Sequence, residues 1–304
     1  MSALAPTLQA FFTERLISQR RASGHTIAAY RDTFRLLLAF TTERSGIPPC
    51  RLDIADLDAP MIAAFLDHLE HERGNTMRTR NARLAAVHSL FGFAALRHPE
   101  HAADIARVLA IPTKRADQTI VTYLTDTEAE ALIASPDRAT RTGRRDHALL
   151  VLAIQTGLRA TELVTLTCGD IHLGGGAHVR CHGKGRKDRI TPLTTGTVAV
   201  LCAWLAERAG ALTDPVFPTN RSGRMSLDAL EQRVAHHAAA AQQRCSTLAS
   251  KNVTPHTLRH SAAMRLLHAG VDVVVIALWL GHESVETTKI YLKADLALKE
   301  RALV

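Results

Sequence analysis

Four short stretches of this chain carry side chains able to handle a phosphate. HTLRH, residues 256–260, sets His256 and Arg259 three apart, on one helix face if the segment is helical. Thr254 and Pro255 just before it read as N-cap and first helical residue. A helix start offers free N–H groups and a positive dipole end, and Arg259 adds a planar fork for two oxygens. TGLRATELVTL, 156–166, places Arg159 after a glycine turn with Glu162 three residues on, in reach of its guanidinium. GKGRKDR, 183–189, brings Lys184, Arg186, Lys187 and Arg189 to one glycine-flanked tip. LGHESVETTKIYL, 280–292, sets His282 nine residues before Tyr291.

Each stretch has a plainer reading. His256 and His260 have the i, i+4 spacing of two zinc ligands, but position 257 is Thr where a zinc hydrolase needs Glu. GKG lacks the remainder of a nucleotide-binding phosphate loop. Arg159 and Glu162 alone describe a structural ion pair, and Tyr291 alone a packed aromatic.

The elements that must position these groups follow from periodicity. Over the first ~110 residues, apolar positions recur at helical spacing: Ile27, Tyr30, Phe34 and Leu37; then Ile62, Phe65, Leu66 and Leu69; then Leu84, Val87, Leu90, Phe91 and Ala94. Arg78, Arg80 and Arg83 cluster where the third of these helices begins, facing either phosphates or water. Residues 110–122 carry no helical stripe but contain Pro112, Lys114 and Arg115, which reads as a linker. Thr125 and Glu128 have capping-box spacing, so a new helix starts there. RRDHALLVLAIQTG, 144–157, is apolar nearly all round and stops at Gly157, as a buried central helix does. AHVRCHGKGRKDRITPL, 177–193, switches to alternation about two glycines, which predicts a β-hairpin with a basic tip. Helical patterns return over 194–208, 226–244, 254–270, 272–281 and 284–300, with Asp272 and Ser284 as candidate N-caps and Gly270 and Gly281 as stops.

The totals agree with a two-domain protein that meets a polyanion. The chain has 304 residues, 46% of them hydrophobic, enough for two cores. Aromatics are only 4%, so the cores rest on Leu, Ala, Val and Ile. Lys and Arg number 37 against 29 acids, a net charge of +8 that favours nucleic acid. Five scattered cysteines without a CxxC pair fit reduced thiols in a cytosol better than a disulfide frame or zinc site. No apolar run is long enough for a membrane span, and the start lacks a secretory pattern.

The order TGLR…EL, GKG…R…PL, HTLRH, LGH, Tyr resembles the tyrosine recombinases of the phage integrase and Xer-like type. The resemblance covers residues 121–292, and the N-terminal part is similar to that family's core-binding domain in size and pattern. It implies a mainly α protein: an all-helical, SAM-like core-binding domain over 1–112, a linker over 113–122, and a mostly helical catalytic domain with a small antiparallel sheet over 123–304. It implies Arg159, Lys184, His256, Arg259, His282 and Tyr291 as the catalytic set, Tyr291 being the nucleophile, with Glu162 supporting Arg159. Arg78, Arg80, Arg83, Lys114, Arg115, Arg186, Lys187 and Arg189 are then expected at DNA.

The implied chemistry is attack of Tyr291 on a phosphodiester, giving a 3′-phosphotyrosyl link and a free 5′-hydroxyl. Lys184 protonates the departing oxygen. His256 either assists removal of the Tyr291 proton or holds the phosphate. No metal or cofactor is expected; the implied partner is double-stranded DNA with specific recombination sites, bound by a homo-tetramer. A type IB-like topoisomerase and a DNA-binding protein without strand exchange are the alternatives.

Overall fold

The computed structural model describes residues 4–115, 121–182, 188–221, 223–282 and 284–294. The chain divides into two compact units, Met1–Gln118 and Thr119–Val304.

In the N-terminal unit, helix starts are fixed by short polar side chains that accept from backbone N–H groups. Ser23 caps α2 (Gly24–Ser45) through the amide of Thr26, Asp58 caps α3 (Ala59–His71) through Met61, and Thr76 caps α4 (Met77–Ala94) through Thr79. Before them runs α1 (Leu4–Ala10), continued by a π-helix over Phe11–Gln19; after them comes α5 (Ala102–Leu109). Phe34 and Leu37, all four apolar positions read on α3, and Leu84, Val87, Leu90, Phe91 and Ala94 are buried together. A fully buried Leu or Phe of this kind contributes about 1.5–3 kcal/mol. The stripe on α4 is wider than its spacing predicts, because Ala86 and Phe93 are buried as well.

The C-terminal unit is built around α7 (Arg141–Thr156), buried as its composition requires and closed by Gly157 in the left-handed conformation, φ 65°. Ahead of it α6 (Asp126–Ile133) begins with both bonds of the Thr125–Glu128 capping box. After it come α8 (Ala160–Thr165) and a three-stranded antiparallel sheet, β1 (Ile171–His172), β2 (His178–His182) and β3 (Asp188–Pro192). β2 and β3 are the predicted hairpin, paired Val179 with Thr191 and Cys181 with Arg189; β1 adds a strand that sequence did not foretell. Ile171, Val179 and Cys181 face the core shared with α7.

Helices α9 (Thr195–Arg208), α10 (Leu227–Ala241), α11 (Pro255–His268) and α12 (Val273–Leu280) follow, with Thr254 and Asp272 as the N-caps of the last two. Where one helix is expected over 284–300, the described part is a 3₁₀ turn, Val285–Thr287, followed by α13, described over Lys289–Ala294; residues 295–300 lie outside the described residues. The break falls at buried Thr288, whose hydroxyl pairs with His282. A second apolar cluster joins Ala263, Met264 and Leu267 of α11, Ile276 and Leu280 of α12, and Tyr291 of α13. No described helix is long and apolar enough to cross a membrane.

Candidate active site

The site forms where α7 ends, α11 begins and α12 ends. Gly157 makes the first close approach: a Cβ there would lie 2.8 Å from Leu280 Cδ2 and 3.0 Å from Ala262 Cβ. That approach brings the last carbonyls of α12, which no later turn of the helix can use, up to two guanidiniums. Arg259 donates from Nη1 to Gly157 O at 2.7 Å and from Nη2 to Leu280 O at 2.8 Å. Arg159 donates from Nη2 to Gly281 O at 2.5 Å. The C-terminal end of a helix carries partial negative charge, so α12 aims its dipole at both arginines. Trp279 fixes that end by donating from Nε1 to Thr156 O at 3.1 Å.

Glu162 ties the cluster together. It accepts the backbone N–H of Arg159 at 2.7 Å and Arg159 Nη1 at 3.0 Å. It also accepts Arg189 Nη1 at 2.6 Å and Nη2 at 2.8 Å. Burial pushes the Glu162 carboxyl up, but the hydrogen bonds and charge of Arg189, then those of Arg159, outweigh it and hold the group below the usual carboxylate range. Among the described residues, no carboxylate hydrogen-bonds to Arg259. Burial and the neighbouring charge of Arg159 pull it down to about 10, so it remains charged at neutral pH.

Three histidines and the phenol complete the group. His282 leaves the αL turn at Gly281 and meets Thr288 Oγ1 through Nδ1 at 2.7 Å. Tyr291 is 2% exposed, its hydroxyl 3.0 Å from His260 Nδ1. Its ring lies 6.4 Å from that of His282 and nearly parallel, at 13°. His256 is exposed, and its ring meets that of His260 edge-on at 4.1 Å. Burial first, then neighbouring positive groups, lower all three imidazoles, His260 and His282 to about 4. Burial raises the Tyr291 phenol to about 12, against the opposing charge of Arg259.

Arg159, His256, Arg259, His282, Tyr291 and Glu162 thus converge. Lys184, Arg186 and Lys187 lie outside the described residues. Two residues that matter here escaped the sequence reading: His260, taken only as a zinc-ligand candidate, and Thr288. The i, i+4 spacing of His256 and His260 on one face was the available signal for the first.

Three of the arginines expected at DNA are engaged internally. Arg189 is spent on Glu162 and on Trp279 O, 3.2 Å from its Nε, because it points inward from β3 beside buried Cys181. Arg80 is 5% exposed, with Nη1 donating to Pro112 O at 3.2 Å and Nε 3.3 Å from Glu70. Arg83 Nη1 donates to Asp32 Oδ2 at 3.1 Å. Lys114 is exposed but paired with Glu70 at 2.7 Å, while Arg78 and Arg115 are exposed.

Comparison with known proteins points one way. Residues 122–297 match the phage integrase family, and residues 10–98 match the phage integrase N-terminal SAM-like domain. The protein y4rC of Sinorhizobium fredii, named as an integrase/recombinase, is 53% identical over 302 residues, 99% of this chain and 91% of that one. Tyrosine recombinase XerC of Xanthomonas campestris is 32% identical over 295 residues, 97% of this chain and 85% of its own length. Among solved structures, the XerH site-specific recombinase bound to palindromic difH substrate superposes with a TM-score of 0.73 at 22% identity, over 93% of this chain and 80% of that one. A lambda integrase dimer bound to a core site gives 0.66 at 18% identity, over 93% and 96%.

Proposed function

This chain belongs to the phage integrase family of tyrosine recombinases, and from that premise we propose that it cuts and rejoins double-stranded DNA at specific sites through a 3′-phosphotyrosyl intermediate. The observation that carries the reading is the pair of guanidiniums held side by side on the carbonyls of Leu280 and Gly281, with the Tyr291 phenol beside the same helix end.

A guanidinium has five N–H donors. Arg259 uses two on protein carbonyls, and Arg159 uses two, one on Glu162 and one on Gly281. The rest are left for the non-bridging oxygens of a phosphodiester. Fixed donors of this kind stabilise the charge that builds as the phosphorus becomes five-coordinate, and losing one costs on the order of 3–4 kcal/mol in the transition state. His282, oriented by Thr288, supplies a further hydrogen bond to the phosphate. Lys184 protonates the departing 5′ oxygen. The phosphotyrosyl bond conserves the energy of the phosphodiester, so rejoining needs no nucleotide cofactor. Of the N-terminal cations expected at DNA, Arg78 and Arg115 are exposed and open to backbone phosphates. Exchange between two duplexes requires four such subunits on DNA, and we read the working form as a homo-tetramer.

The test is covalent capture. The chain is incubated with a library of nicked duplexes, and adducts are recovered under denaturing conditions and mapped. The unaltered chain is expected to form an adduct at a defined sequence. Tyr291→Phe is expected to lose it while shifting the same DNA within about threefold of the original affinity, as removal of one hydroxyl from an otherwise unchanged binding surface requires. An adduct that persists in Tyr291→Phe rejects the proposal.

A further inference from the structure

We propose that His260 takes the proton from Tyr291 as the phenol oxygen attacks phosphorus, and returns it when the strand is rejoined. This assignment rests on the recombinase reading above. It goes beyond the six positions that the resemblance marks, and it gives the proton to a histidine other than His256, for which the sequence left both roles open.

Geometry carries it. Among the described residues, the side-chain hydrogen bond of the Tyr291 hydroxyl runs to His260 Nδ1, at 3.0 Å. The His260 ring also meets the Tyr291 ring edge-on, with centroids 5.5 Å apart. His256 stands one turn earlier on α11, exposed, and touches His260. It is therefore the outer histidine of the pair, placed for the phosphate, and His260 is the inner one, placed for the phenol.

The proton inventory agrees. The groups facing His260 are His256 and Arg259 of its own helix, His282 of the turn after α12 and Tyr291 of α13. Burial first, then His256, Arg259 and His282, keep the imidazole neutral, and the phenol stays protonated. Tyr291 then donates to Nδ1, with the ring proton of His260 on Nε2. With the phenol at about 12 and the imidazole at about 4, transfer ahead of attack would leave almost no phenolate. The proton moves instead as the Oη–P bond forms, because the oxygen loses its basicity in that bond. A lone pair of Oη forms the bond to phosphorus, the P–O5′ bond breaks, Nδ1 gains the phenol proton, and Lys184 supplies the proton to the 5′ oxygen. Strand joining reverses each transfer. The incoming phosphate also sets its negative charge against Arg259, offsetting part of what disfavours the imidazolium, so the base strengthens when substrate is present.

The experiment uses the full chain and a nicked duplex of the mapped site carrying a 5′-bridging phosphorothiolate. Its thiolate leaves without a proton, so the rate reports attack rather than the work of Lys184. His260→Ala is expected to slow adduct formation by about 10²-fold or more, the usual range for losing a general base. DNA affinity should hold within about threefold, and added imidazole should restore part of the rate, as a small base can replace a missing side-chain base. His260→Asn keeps an acceptor at the Nδ1 position but takes no proton, and is expected to be as slow as alanine. A wild-type rate in His260→Asn, or in His260→Ala, overturns the proposal. Thermal melts check folding; should the alanine variant fail to fold, the asparagine variant decides alone by the same criterion. No adduct from the unaltered chain would instead refute the recombinase reading.

Discussion

Replacing Glu162 by Gln removes the one carboxylate that, among the described residues, faces three guanidiniums. Its two oxygens accept four hydrogen bonds, two from Arg159 and two from Arg189. The Glu162 and Arg189 side chains are 5% and 12% exposed, so this pair is a buried one. Removing one partner of a buried pair costs about 3–5 kcal/mol, since the remaining charge is left uncompensated. The Arg159 side chain is 35% exposed, and its bond to Glu162 adds only about 0.2–1 kcal/mol after solvent screening. A loss of about 3 kcal/mol in a unit of this size lowers Tm by about 6–12 °C. The loss depends on pH with a definite sign. The folded carboxyl lies below its ordinary value of 4.5, held down against burial by Arg189 and Arg159. Its contribution is therefore complete above pH 4.5 and disappears as pH falls through the folded value. Glu162→Gln has no such group to titrate. Thermal melts of both proteins from pH 7 downward should show a gap that is widest at neutral pH and narrows below about 4.5. A gap under about 1 kcal/mol at pH 7, or one that stays constant into acid, would refute the reasoning, because a surface-type pair behaves that way.

Two further outcomes follow from the packing. Gly281→Ala forces a side chain at φ 66° and sets a Cβ 2.9 Å from Arg189 Nη1, so it should cost about 1–2 kcal/mol of stability and depress adduct formation through Arg159, measured by melts and by covalent capture. Arg80→Ala should lower the Tm of the N-terminal unit, because a buried guanidinium that holds Pro112 O and lies against Glu70 is lost, whereas exposed Arg78→Ala should leave stability within about 0.5 kcal/mol and reduce the salt dependence of DNA binding by about one counterion.

Much of the fold was legible because local chemistry and periodicity agree with it. Thr125 with Glu128, Thr254 with Pro255, Asp272, Gly157 and Gly281 each mark a real helix boundary. The first helix was not legible, and the π-helix explains why. Its bonds run five residues back, as from Arg20 N to Arg15 O, so buried Phe11 and Leu16 stand five apart and break the helical stripe. The catalytic constellation was legible from residue types in order. Which cations are free was not: Arg80 and Arg189 count the same as Arg78 in a charge total, and only the partners Glu70 and Glu162 distinguish them. Arg189 did carry one weak signal, because strand alternation sets it on the same face as Thr191, which is fully buried.

The internal pairing of Arg189 changes what the site's charge is for. Among the described residues, Arg159, Arg189 and Arg259 bring three positive charges to a space where Glu162 supplies one negative charge. The carbonyls of Gly157, Leu280 and Gly281 satisfy hydrogen bonds but neutralise nothing. The surplus adds to burial: Arg259 and the three histidines are all displaced toward their neutral forms, by burial first and then by nearby positive groups. An anion entering the cluster relieves that strain at once, and a phosphorus whose oxygens gain charge during attack relieves it further. Fixed dipoles and charges that need not reorganise are the larger part of what an enzyme offers such a step. Burial, acting against the charge of Arg259, keeps Tyr291 a protonated phenol. Off DNA nothing removes its proton, and the phosphate that strengthens His260 as a base is also the phosphate the phenol attacks.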